Sequence, residues 1–94
     1  MYDYEAEIHL LAIRATQATR AASQAAVDLV ERVAATEAAQ RVASRRDFGT
    51  EKVLGDACRR VEEDALLAWE YALVNEKECK DALERCRAEA SAAK

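Results

Sequence analysis

Apolar side chains and alanines recur every three or four positions through the first half of the chain. Ile8, Leu11, Ala15, Ala18, Ala22 and Ala25 set the series, and Leu29 and Val33 continue it. That spacing places them on one face of a helix, so the pattern predicts a helix over about 4–46. The centre of the face is mostly alanine, where a neighbouring helix can come close. From Glu37 to Glu51 the pattern fails, and Val42 and Phe48 are the only large apolar residues. Asp47-Phe48-Gly49-Thr50 reads as a turn: Gly49 can take the positive φ that ends a helix, and Thr50 can cap the next. The chain is expected to reverse there.

A second helix is predicted over 51–74, where Leu54, Cys58, Val61, Ala65, Ala68 and Ala72 alternate steps of four and three. Between Ala65 and Val74 the residues Leu66, Leu67, Trp69, Tyr71 and Leu73 thicken the stripe. A helix greasy on more than one side needs more than one neighbour. Asn75-Glu76-Lys77-Glu78 resembles a capping box that would start a third helix over 76–92, with Cys79, Ala82, Leu83, Cys86 and Ala90 as its apolar stripe. The heptad frame also runs through Asn75 unbroken, which leaves a continuous helix open. The expected fold is all-α: an elongated antiparallel three-helix bundle forming one domain over 1–94.

Composition narrows the function classes. Of the 94 residues 51% are apolar, but 22 of those 48 are alanine, which leaves 26 larger apolar side chains. That is enough for a slim bundle and too few for a globule with a deep cleft. The net charge of −4 argues against a nucleic-acid partner, which needs a clustered basic face. Residues 1–46 balance six acids with six bases, whereas 47–94 hold twelve acids and eight bases. No apolar run is long enough to span a membrane, and the acidic stretch from Asp3 to Glu7 does not suit a leader peptide. A soluble cytosolic protein is the expectation. Cys58, Cys79 and Cys86 cannot all pair within one chain, and Cys79 and Cys86 are two helical turns apart, about 10 Å, too far for a disulfide. They read as reduced, buried thiols. His9 is the only histidine, so neither a metal centre nor a bound cofactor is expected.

No catalytic signature survives scrutiny. Asp47-Phe48-Gly49 repeats the magnesium-binding tripeptide of protein kinases, but no Gly-rich loop or strand lysine accompanies it. Glu62-Glu63-Asp64 cannot converge on one substrate atom, because consecutive helical residues point about 100° apart. They read as a solvated charge run, and His9 as a boundary residue. The chain is not expected to be an enzyme.

Two stretches resemble the tubulin-binding cofactor A family. In the first, Ile8, Leu11, Ile13, Arg14 and Arg20 match the family's opening helix, which carries isoleucine, leucine, isoleucine–basic and later further basic residues. In the second, Asp47-Phe48 followed by Glu51-Lys52-Val53-Leu54-Gly55-Asp56 is similar to the family's loop and entry into helix two, and Asn75-Glu76-Lys77 resembles its approach to helix three. The family's Met-Ile-Pro-Asp is replaced by Arg60-Val61-Glu62-Glu63, and Ala12, Ala15 and Thr19 stand where it carries lysines. The resemblance implies a three-helix chaperone, cytoplasmic and cytoskeleton-associated. It would capture quasi-native β-tubulin and hold it for α/β-tubulin heterodimer assembly, without ATP hydrolysis. Other tubulin-folding cofactors are possible further partners, and the chain is expected to be a monomer or weak homodimer.

Candidate contact residues follow. Between Ile8 and Val27 there is no acid, and Arg14 and Arg20 stand among hydrogen-bonding residues that include Gln17 and Gln24. An arginine engages a carboxylate through two N–H groups at once, which suits an acidic partner. The competing expectation is pairing with acids of the second half, such as Glu62 or Glu70. Trp69 and Tyr71 differ by 200° around a helix, so one of them faces outward, Tyr71 being the better suited. Phe48 is either a staple over Leu54 or an exposed contact. Two alternatives remain: a secreted helical hairpin of the WxG kind, suggested by equal halves about Phe48-Gly49, and a coiled coil dimerising through its alanine and cysteine stripe.

Overall fold

The computed structural model describes residues 2–45 and 48–93, and at 48–51 the backbone alone. Two helices account for nearly all of them: α1, Tyr4–Ala43, and α2, Phe48–Ala92. The chain is a two-helix hairpin, and no strand occurs among the described residues. This corrects the three-helix bundle expected over 4–46, 51–74 and 76–92. Asn75 caps nothing; it lies inside α2, where its side-chain oxygen accepts the Cys79 thiol at 3.8 Å. Between Leu54 and Ala92 there is no proline and one glycine, Gly55, so nothing interrupts the backbone ladder while the heptad frame continues. A capping box starts a helix only where the preceding turn is free to unwind. Phe48, Gly49 and Thr50 are already helical, so the stop at Gly49 and the cap at Thr50 are corrected too. Asp47 and the Phe48 side chain lie outside the described residues.

The start of α1 is fixed locally. The Asp3 carboxylate accepts the Ala6 N–H at 3.1 Å, satisfying one of the orphan donors of the first turn. Glu5 and Glu7 favour the positive end of the helix dipole. Tyr2 adds a hydroxyl hydrogen bond to Glu7 and an edge-on ring contact with Tyr4. At the other end the Ser44 N–H reaches Gln40 O at 2.9 Å, and its hydroxyl donates to Arg41 O at 2.9 Å.

The chain divides into two compact units, Met1–Ser23 with Tyr71–Lys94, and Gln24–Glu70. In the first unit the buried seam is Ala15, Ala18 and Ala22 of α1 with Leu83 and Cys86 of α2. In the second it is Thr36 and Ala43 with Cys58 and Ala65. Side chains this small let helix axes approach to about 8 Å, the near end of the usual range. The seam of α2 differs from the expected stripe. Val61 and Ala68 are exposed, while Glu62, Trp69 and Glu76 are half-buried in their place. Opposite a floor of alanine, longer side chains fold their stems over the gap and keep their polar ends near water. Leu66, Leu67, Leu73 and Val74, expected to touch a third helix, are exposed instead.

Candidate functional site

The first unit's stretch of α1 presents an outer face with Leu10, Ile13, Gln17 and Arg20 at three- and four-residue spacing. They lie opposite half-buried Leu11 and buried Ala15 and Ala18. Leu10 is 57% exposed, Ile13 is exposed, and Arg14 stands one step round the helix. Arg14 and Arg20 make no ion pair among the described residues. Thr16 spends its hydroxyl hydrogen on Ala12 O at 3.0 Å. Gln24, in the second unit, donates its amide to Asp28 at 2.9 Å, which ties up part of its hydrogen-bonding capacity.

Two hollows adjoin on the first unit and share Ala12, Thr16 and Arg20. One is completed by His9, Ile13 and Gln17. The other, about 480 Å³, has Ala12, Ala15 and Leu83 as its apolar floor and Thr16 and Thr19 on its wall. Arg20, Lys80 and Arg87 stand around it, and no carboxylate lines it among the described residues. Lys80 also reaches Glu76 at 3.5 Å along α2.

Of the predicted contact residues, the structure therefore brings Gln17 and Arg20 to one hollow. Arg14 stands beside it, and Gln24 and Tyr71 are exposed elsewhere on the chain; Tyr71 is 74% exposed, with Trp69 half-buried. Sequence reasoning missed Lys80 and Arg87. Seven residues apart on one helix, they share a side, but their meeting with Arg20 depends on which stretch of α2 lies against α1.

The seam carries its own chemistry. In the second unit Thr36 hydrogen-bonds Glu62 across the hairpin, and the Cys58 thiol lies 3.9 Å from Thr36 O. Glu62 is thus no solvated member of a charge run, as expected, but half-buried against a hydroxyl. All three thiols are free, with Cys58 and Cys86 buried and Cys79 half-buried.

In the first unit the Cys86 thiol is held above its ordinary range. Burial is the main cause, followed by the Glu7 carboxylate, which repels a thiolate and accepts the thiol's hydrogen bond, and then by Glu89. The folded chain holds this proton more tightly than the unfolded chain. The stability it brings is complete below the unfolded thiol's pKa of about 8.5 and is lost as pH rises through the folded value. The melting temperature is expected to fall more steeply from pH 8 to 10 in the parent chain than in Cys86→Ala; parallel slopes would contradict this.

Among the described residues no group of three or more histidine, cysteine and acidic side chains converges on a metal position, and no helix is long and apolar enough to cross a membrane. What the arrangement offers is surface: an exposed arginine-bearing face and a cation-rimmed hollow. No family model matches the chain, and no curated protein or solved structure matches it either.

Proposed function

We propose that this chain is a non-catalytic protein-binding hairpin whose first-unit stretch of α1 meets an acidic surface on its partner. The observation that carries this is the pair of exposed arginines, Arg14 and Arg20, unpaired among the described residues, in an acid-free stretch of a chain whose net charge is −4. Arginines without an internal partner keep their bidentate capacity for a partner's carboxylates.

β-Tubulin is the client to test first, because Arg14 and Arg20 are among the residues that carry the resemblance to cofactor A. Capture and holding of that subunit, in the cytoplasm and beside the cytoskeleton, is the corresponding role. The family's third helix is not separate here, since α2 runs unbroken from Phe48 to Ala92.

Arg14→Glu combined with Arg20→Glu is expected to leave helicity and melting temperature unchanged and to weaken β-tubulin capture at least roughly tenfold, as reversed charges do at a complementary interface. Undiminished capture by the folded double variant would refute the proposed contact.

The two-helix architecture favours a second reading. Helices of 40 and 45 residues meeting near Phe48 are the plan expected of a secreted WxG-type hairpin, with Asp47-Phe48-Gly49 standing where Trp-x-Gly would be. Recovery of the chain from culture medium, with no capture of tubulin, would move the reading there. The alanine and cysteine stripe of the coiled-coil alternative is engaged within the hairpin: Ala15, Ala18, Ala22, Cys58 and Cys86 are buried and Cys79 is half-buried.

A further inference from the structure

We propose that the cation-rimmed hollow of the first unit is a docking groove for an acidic amphipathic helix of a partner protein. The proposal rests on the reading that α1 meets an acidic partner, and gives that partner a shape.

Four observations carry it. The floor is apolar and shallow-walled, with alanines at 12 and 15 beside buried Leu83, so it can accept one or two aliphatic side chains from above. The rim inverts the charge of the chain: 18 acids outnumber 14 bases overall, yet Arg20, Lys80 and Arg87 meet here with no carboxylate in the lining among the described residues, Glu76 reaching Lys80 from outside it. Lys80 and Arg87 lie seven residues apart on α2, about 10 Å along its axis, which matches two carboxylates a heptad apart on a helical ligand. Arg20 approaches from α1, on the other side of the floor.

The alternatives fit less well. A small anionic metabolite is normally held by a few fixed polar groups in an enclosing pocket. Here all three cations are solvent-exposed, Thr16 has committed its hydroxyl hydrogen to Ala12 O, and the hollow is open. Exposed charges around an apolar strip suit an extended ligand that brings its own apolar stripe and its own acids.

The test is a titration of the full chain with a fluorescein-labelled, helix-forming peptide bearing leucines on one face and glutamates on its flanks, read by anisotropy. Saturable binding is expected, weakened at least tenfold by Lys80→Glu with Arg87→Glu and to a lesser degree by Lys80→Gln with Arg87→Gln. Circular dichroism melts identify variants that remain folded. A version of the peptide with lysine for every glutamate should not bind, and a DNA oligonucleotide of equal charge should not compete.

Binding that survives both α2 double variants, or that the oligonucleotide abolishes at equal charge, overturns the groove. So does an absence of binding by the parent chain at millimolar peptide. Arg14→Glu separates the two readings, because Arg14 lies outside the hollow. Loss with Arg14→Glu alone removes the groove and leaves the acidic-partner reading standing. Loss with the α2 variants alone, together with tubulin capture indifferent to Arg14 and Arg20, leaves the groove standing and removes tubulin capture through Arg14 and Arg20.

Discussion

Replacing Ala18 by phenylalanine is expected to lower the melting temperature by roughly 5–20 °C. Ala18 is 3% exposed, the least of any buried alanine, and it sits between Ala15 and Ala22 on the face that meets α2. A seam of methyl groups holds the helix axes near their closest approach, and it has no slack to give. Inserting a ring forces the helices apart or pushes the ring out of its rotamer, at about 1–3 kcal/mol for an overpacked core. In a domain of this size each kcal/mol moves the melting temperature by about 4–8 °C. Ala21→Phe provides the control: it makes the same chemical change on the same helix at an exposed position, and should move the transition by about 4 °C or less. Equal melting of the two variants would mean that the alanine face is not where the helices meet.

The same seam explains which parts of the fold were readable. The alanine face of α1 was legible because its period of three and four residues has one interpretation, and Ala15, Ala18 and Ala22 are buried as that period requires. The count of helices was not. Leu66, Leu67, Leu73 and Val74 suggest a neighbour on a second side, and burial logic alone turns that suggestion into a third helix. The competing signal was the unbroken frame through Asn75, with no residue able to stop the helix, and backbone continuity won. Exposed apolar residues are ordinary on a protein surface, so greasiness constrains topology less than a helix stop does. Among the proposed contact residues, Arg14, Gln17 and Arg20 share an acid-free run on one element that the sequence alone displays. Lys80 and Arg87 were not, because their joining with Arg20 depends on which stretch of α2 lies against α1. That register is a tertiary fact.

Register itself gives the second large effect. Thr36 is 6% exposed, and its single hydroxyl hydrogen faces two acceptors, Val33 O at 2.9 Å and the carboxylate of Glu62 across the hairpin. A hydrogen bond to an ionised carboxylate is about twice as strong as a neutral one, so the hydrogen belongs mainly to Glu62. The alanines of the seam cannot define which turn of α1 meets which turn of α2, since one methyl group resembles the next. Thr36 can. One heptad away on either side stand Leu29 and Ala43, and neither offers Glu62 a donor. A slipped pairing therefore leaves a half-buried carboxylate beside hydrocarbon.

Thr36→Val keeps the shape and removes the donor, and should cost about 1–2 kcal/mol; the lower part of the usual range applies because Glu62 retains some access to water. Glu62→Met keeps the stem and removes the charge. With both partners apolar nothing polar is left unmatched, so the double variant should be more stable than the sum of the single changes predicts, by about 1 kcal/mol. Urea unfolding of the four chains measures this coupling. Strict additivity would show that the hydroxyl and the carboxylate act separately, and that something other than this pair holds the helices in register.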